Sequence, residues 1–211
     1  EELSRGYMSL AGLLNTHKIA ATMIGRYGTD DQRHRFLPRM CDGSFRAAFS
    51  LSEPDAGSDT GALRCRAVRD GDEWVVNGTK MWVTNGAQAD IIVLFAKDVD
   101  HPQFGVKKHG GTTAFIVEKG FEGFSVGKKE DKLGIRSSDT VTLVLEDCRV
   151  PVENVLQQVR KQVAGGARHI TFGDPDFLNS PRHALRVAEA LHDEFPQLTF
   201  DITAKVEHLL D

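Results

Sequence analysis

Apolar and polar positions follow three successive rhythms along this chain. Up to about residue 46 the apolar residues fall at near-helical spacing: Leu3, Leu10, Leu13 and Leu14, then Ile19, Met23 and Ile24. The run Gly25-Arg-Tyr-Gly28 breaks the stripe. Thr29 followed by Gln32 has the pattern of a capping box, in which each side chain bonds the other's backbone N–H. A second helix is therefore predicted from there, with Phe36, Leu37 and Met40 as its apolar face. Pro38 is expected to bend or shorten it, and Gly43 to stop it.

From about 47 to 150 the rhythm has the period of strands. Strands are predicted at Arg64–Arg69, Glu73–Asn77, Lys80–Thr84, Ile91–Lys97, Thr112–Glu118, Phe124–Lys128 and Thr140–Glu146. The dipeptides Asp70-Gly71, Asn77-Gly78 and Asn85-Gly86 read as turns between them. Strands at this spacing, with no helical pattern between, predict an antiparallel barrel or sandwich. Asp98–Gly111 reads as a polar loop.

From about residue 156 the texture changes again. Helix is predicted over Leu156–Ala164 and Pro181–Glu194, and strand over Arg168–Phe172 and Leu198–Thr203. This is the βα grammar of a parallel sheet. The fold class expected is α+β in three parts: helices over 1–46, a β-domain over 47–155, and a short βα-type segment over 156–211.

Composition narrows the function classes. Of 211 residues, 40% are hydrophobic and 27% charged, ordinary values for a globular protein. A net charge of −4 gives no basic field, so no nucleic-acid partner is expected. The longest apolar run, Ile91–Ala96, is far too short to span a membrane. Cys41, Cys65 and Cys148 are odd in number and widely spaced. They predict neither a disulfide framework nor a zinc site, and reduced thiols fit a cytoplasmic location. The chain starts at Glu1 inside a helical pattern and stops at Asp211 beside an apolar patch, as expected of a fragment.

Two stretches carry candidate chemistry. Phe49-Ser-Leu-Ser-Glu-Pro-Asp-Ala-Gly-Ser-Asp59 is turn-rich and offers small hydroxyls, free N–H groups and a flexible Gly57. Such a loop can approach a planar polar ring edge, although by composition alone it is more often a plain surface loop. Trp74–Gly86 reads as a tight hairpin with Trp82 and Thr84 on one strand face. An aromatic plane beside a hydroxyl can flank a flavin, although a lone tryptophan is more often core.

Together these stretches resemble the acyl-CoA dehydrogenase family. So do Arg26–Pro38, Lys128–Thr140 and Glu146–Val155, in order, over about 155 residues. The resemblance implies the end of an N-terminal helical domain followed by a middle β-domain that binds FAD and acyl-CoA. It implies that Phe49, Ser50, Leu51, Ser52, Glu53, Pro54, Asp55, Ala56, Gly57 and Ser58 run along the pyrimidine edge of the isoalloxazine, with Ser52 near N1 and O2. Trp82, Val83 and Thr84 would cover the ring, with Thr84 near N5, and Ser58 would face the acyl-CoA. Glu53 and Asp59 would brace the loop. The implied reaction is α,β-dehydrogenation of an acyl thioester, with electron-transfer flavoprotein as partner in a family that is usually homo-oligomeric. The family's glutamate base lies in a C-terminal bundle that the resemblance does not reach, so no catalytic base is assigned and the chain alone is expected to be inactive.

Residues 157–211 resemble something else. Gly166–Asn179, followed by His183-Ala-Leu-Arg-Val, is similar to an inner βα unit of radical S-adenosylmethionine enzymes, with Asp174 and Asp176 at the strand end. The cysteine loop that would hold an iron–sulfur cluster has no counterpart, and Asp174-Pro-Asp176 equally fits a turn and helix cap. The four histidines there have no ligand spacing, so no metal is expected. The expected whole is a fusion joined near Leu156. The alternatives are a non-catalytic hybrid and a truncated radical S-adenosylmethionine protein with a foreign N-terminus.

Overall fold

The structure is a computed structural model that describes residues 2–156, 169–172, 197 and 199–202. The chain divides into two compact units, Glu1–Leu156 and Gln157–Asp211. Unit 1 opens with helices α1 (Glu2–Gly6), α2 (Met8–Tyr27) and α3 (Asp30–Cys41). The Thr29/Gln32 capping box forms in full: Gln32 N–H donates to Thr29 Oγ1 at 3.1 Å and Thr29 N–H to Gln32 Oε1 at 2.9 Å. Pro38 does not shorten α3, which continues to Cys41.

Seven strands follow: β1 (Ala47–Ser50), β2 (Arg66–Asp70), β3 (Glu73–Thr84), β4 (Ile91–Asp98), β5 (Thr112–Glu118), β6 (Phe124–Lys129) and β7 (Thr140–Pro151). They make one sheet in the order β1-β4-β2-β3-β7-β6, with β5 on the other edge of β4. One face of the sheet supplies a core that includes Ala48, Ala67, Val76, Leu94, Phe115 and Leu143. The other face presents Ala47, Ile91, Val93 and Ile116 to Ala20, Ile24, Phe36 and Met40 of the helices. Strand β4 reads as a nearly continuous apolar run because both of its faces are covered.

The sheet is mixed rather than wholly antiparallel. β1 lies parallel to the first half of β4 (Ala47↔Ile91 to Ser50↔Leu94), and β2 lies parallel to its end (Arg66↔Lys97). Local turn signals mark hairpins such as β2–β3, but parallel contacts are made by long connections that carry no such mark. The leading N–H groups of β1 are capped from α2: Ala47 N–H donates to His17 Nδ1 at 3.1 Å and Phe49 N–H to Thr16 Oγ1 at 3.3 Å. Side chains thereby cover an edge that would otherwise stand open.

The expected turn at Asn77-Gly78 is absent, and β3 runs straight through it. A bulge sits there instead, with Asn77 and Asp147 bonded to each other across the strands: Asp147 N–H donates to Asn77 Oδ1 at 2.8 Å, and Asn77 Nδ2 to Asp147 Oδ1 at 3.0 Å. Gly78 has φ +146°, and a Cβ on it would fall 2.8 Å from Cys65 Cα. Glycine is required here by close packing in a position with positive φ.

In unit 2, β8 (His169–Phe172) and β9 (Thr199–Ile202) pair in parallel with His169 opposite Thr199. The predicted helices of this unit lie outside the described residues. No helix among the described residues is long and apolar enough to cross a membrane.

Candidate functional site

The segment between β1 and β2 is the structural consequence of their sharing one edge of β4. β1 pairs with Ile91–Leu94 and β2 with Lys97–Asp98, so residues 51–65 must loop out of the sheet and return. Within that loop Glu53 N–H donates to Ala56 O at 2.7 Å and Ala56 N–H to Glu53 O at 3.2 Å. Asp59 caps a single 3-10 turn at Thr60–Ala62, accepting from Gly61 N–H at 3.1 Å.

The loop is joined to β3 by Met81 N–H, which donates to Ser52 O at 2.9 Å. This bond brings the two sequence-predicted stretches together. Met81 and Trp82 form a second bulge in β3, opposed by Thr142 alone between the pairs Lys80↔Leu143 and Val83↔Val141. Trp82 has φ +58° and is 64% exposed. A left-handed tryptophan costs on the order of 1–3 kcal/mol and persists where surrounding structure holds it. The bulge turns this ring outward while Val83, next to it, stays in the core and Thr84 is half-buried.

The candidate residues divide by exposure. Pro54, Asp55, Gly57 and Ser58 are exposed, Leu51 and Ser52 are half-buried, and Ser50, Glu53 and Ala56 are buried. Phe49 is half-buried and meets Phe95 edge-on at 5.7 Å. Ser50 shares the inner face of β1 with Ala48, by strand alternation, and its buried hydroxyl has no partner. Among the described residues, the hydroxyls of Ser52, Ser58 and Thr84 and the N–H of Ser52 make no hydrogen bond. Unused donors beside an exposed aromatic plane fit a flat, heteroatom-edged ring.

Every carboxylate of the loop is already engaged. Asp55 pairs with Arg64 at 2.7 Å, and Asp59 with Lys108 at 3.0 Å. The Lys108 ammonium holds the Asp59 carboxyl below its ordinary value. Glu53 pairs with Lys80 at 2.6 Å in the interior, where Lys80 has 0% of its side chain exposed. Glu130 and Asp131 lie outside the loop and pair with Lys128 and Arg136 respectively. Lys80 was not among the sequence candidates. Nor were Thr16 and His17, whose place under β1 has no local signal. Asp174 and Asp176 lie outside the described residues. Among those residues no cluster of His, Cys, Asp and Glu could hold a metal ion.

Two family descriptions match: the acyl-CoA dehydrogenase N-terminal domain over residues 1–44 and the acyl-CoA dehydrogenase middle domain over 48–148. The chain belongs to the acyl-CoA dehydrogenase family. This is a family of FAD-dependent oxidoreductases. It is 45% identical over 157 residues to acryloyl-CoA reductase (NADH) of Anaerotignum propionicum, covering 74% of this chain and 39% of that protein. It is equally 45% identical over 157 residues to the short-chain specific acyl-CoA dehydrogenase of Clostridium acetobutylicum, covering 74% and 40%. The crystal structure of a glutaryl-CoA dehydrogenase from Mycobacterium smegmatis in complex with FADH2 superposes with TM-score 0.67 at 34% identity, over 74% of this chain and 38% of that one. The chain thus spans about two fifths of the length of the curated relatives it matches.

Proposed function

We propose that unit 1 is the flavin- and acyl-CoA-binding part of an enzyme that exchanges a hydride with the α,β-bond of an acyl-CoA thioester. The observation that supports this reading is the Met81–Ser52 bond, which joins the loop to the stretch of β3 that holds Trp82 and Thr84. FAD, when bound, supplies the hydride acceptor. The Ser52 N–H and hydroxyl hold the pyrimidine edge, where donors favour negative charge on the ring. Trp82 covers the ring, Thr84 bonds near N5, and Val83 fixes the strand beneath them. The accessible residues between Phe49 and Ser58 line the ring edge, with Ser58 toward the thioester, while Ser50, Glu53 and Ala56 support them from inside. Glu53 serves this site as a brace, because its carboxylate faces inward.

Removal of the α-proton needs an unpaired carboxylate across the substrate from the ring. The loop's carboxylates are all paired, so proton abstraction falls to a group outside this loop. Electron-transfer flavoprotein is the partner this reading implies for reoxidation, and self-association is expected with it. The test is titration of the 211-residue chain with FAD, followed by flavin fluorescence. Saturable binding is expected, weakened about tenfold or more by S52A/T84V. Absence of binding, or binding indifferent to both hydroxyls, would refute the assignment.

A further inference from the structure

A lysine with no contact to solvent lies directly beneath the Leu51–Cys65 loop. Lysine is almost never buried without a structural or chemical reason. Lys80 Nζ donates to Glu53 Oε1 at 2.6 Å and to Leu51 O at 3.0 Å. The same carboxylate accepts from Arg64 N–H at 2.6 Å and Cys65 N–H at 3.1 Å. Glu53 therefore joins the outgoing end of the loop to its returning end, and Lys80 ties both to β3, two residues before Trp82.

We infer that Lys80, through Leu51 O and Glu53, is a positioning residue for the flavin edge: it orients the Leu51–Ser52 peptide so that Ser52 N–H faces the cofactor. This rests on the functional reading above. A trans peptide points its C=O and the next N–H in opposite directions. With Leu51 O drawn inward to the ammonium, Ser52 N–H is turned the opposite way, and among the described residues it makes no hydrogen bond. The following peptide is held in turn, because Ser52 O accepts from Met81 N–H while Glu53 N–H donates to Ala56 O. Both rotations that could swing Ser52 away from the ring are therefore blocked by named bonds. A cation on Leu51 O also polarises that amide, and a polarised amide is a stronger donor.

The experiment compares wild type, K80M, E53Q and a control, V150A, in the full 211-residue chain. Val150 is a core residue of β7 that pairs with Trp74 and not with the loop. Amide hydrogen exchange over residues 51–65 is read without FAD. Flavin affinity and the reduction potential of bound FAD are read with it. K80M is expected to speed exchange in the loop, weaken FAD about tenfold or more, as loss of a residue supporting a binding group does, and shift the potential to more negative values. V150A is expected to lower Tm with none of these changes. If K80M does not fold, E53Q, which keeps the size of the side chain, carries the same readouts. Unchanged flavin affinity and potential in the folded variant would overturn the inference while leaving the functional reading intact. Absence of FAD binding by wild type would overturn both.

Discussion

Two long irregular segments of unit 1, residues 51–65 and 99–111, are each built over one buried lysine, and the two lysines are satisfied differently. Beneath the first, Lys80 meets a carboxylate that itself accepts two backbone N–H groups. Beneath the second, Lys97 meets only neutral acceptors: Thr112 Oγ1 at 2.9 Å, Lys108 O at 3.1 Å and Gly110 O at 3.3 Å. Burial pushes the Lys97 ammonium below its ordinary pKa, with Asp59 and Glu53 opposing. A charge matched by a charge is held in one geometry, because removing either partner strands the other. A charge held by carbonyls forms a softer clamp, whose acceptors can turn toward water when it is lost. The family's sequence likeness spans both loops, yet only the loop over the ion pair carries the proposed ring-edge donors.

The largest expected effect is in the first region. K80M leaves the buried Glu53 carboxyl without its cation, and should lower unfolding free energy by about 3–5 kcal/mol in urea denaturation. A loss under about 1 kcal/mol would place the pair in a far wetter setting and dissolve the contrast. K97M leaves neutral acceptors unpaired, and should cost about 1–3 kcal/mol in the same assay. If it costs as much as K80M, the two clamps are equivalent.

Alkaline titration sharpens the comparison further. Cys65 closes the first loop, and burial raises its thiol to about 12, with Lys80 opposing and Glu53 and Cys148 adding; burial raises Cys148 to about 11. The ordinary value is 9.0. Below it both the folded and unfolded chains hold these protons. Above it the unfolded chain releases them first, so stability falls as pH rises until the folded thiols titrate at about 11 and 12. Each thiol contributes a slope of about 1.4 kcal/mol per pH unit within its window. C65A/C148A should flatten the fall between pH 9 and 11, and an unchanged slope would mean the thiols are hydrated. The smallest effect belongs to the loop's outer surface. R64A removes the exposed partner of Asp55 and should change stability by under about 1 kcal/mol.

The legible parts of the fold were those with local causes. Strand β5 matches its predicted span, Thr112–Glu118, because apolar residues and turn signals bound it on the chain itself. The Thr29/Gln32 box lies within four residues and forms as read. Asn77-Gly78 misled because one dipeptide serves two needs. A two-residue turn and a bulge packed against Cys65 both demand positive φ, and only the partner strand distinguishes them. Likewise the candidate loop stands out through its family resemblance, its residue types alone favouring a plain surface loop, whereas Lys80 reads on the chain as one more polar position of a strand.

The sequence alone determined the helical texture up to about residue 46, the strand texture after it and the change near residue 156, while family resemblance singled out the two stretches that the Met81–Ser52 bond joins. The textures are set by side-chain period, caps and turn chemistry, all short-range properties. Tertiary structure alone decided that β1 and β2 share one edge of β4, that Trp82 turns outward on a strained bulge, and that Glu53 and Lys80 meet in the interior. The physical reason is separation along the chain. Glu53 and Lys80 are brought to 2.6 Å only when the sheet closes over them, and the energy that makes a buried charge tolerable exists only once its partner is buried with it.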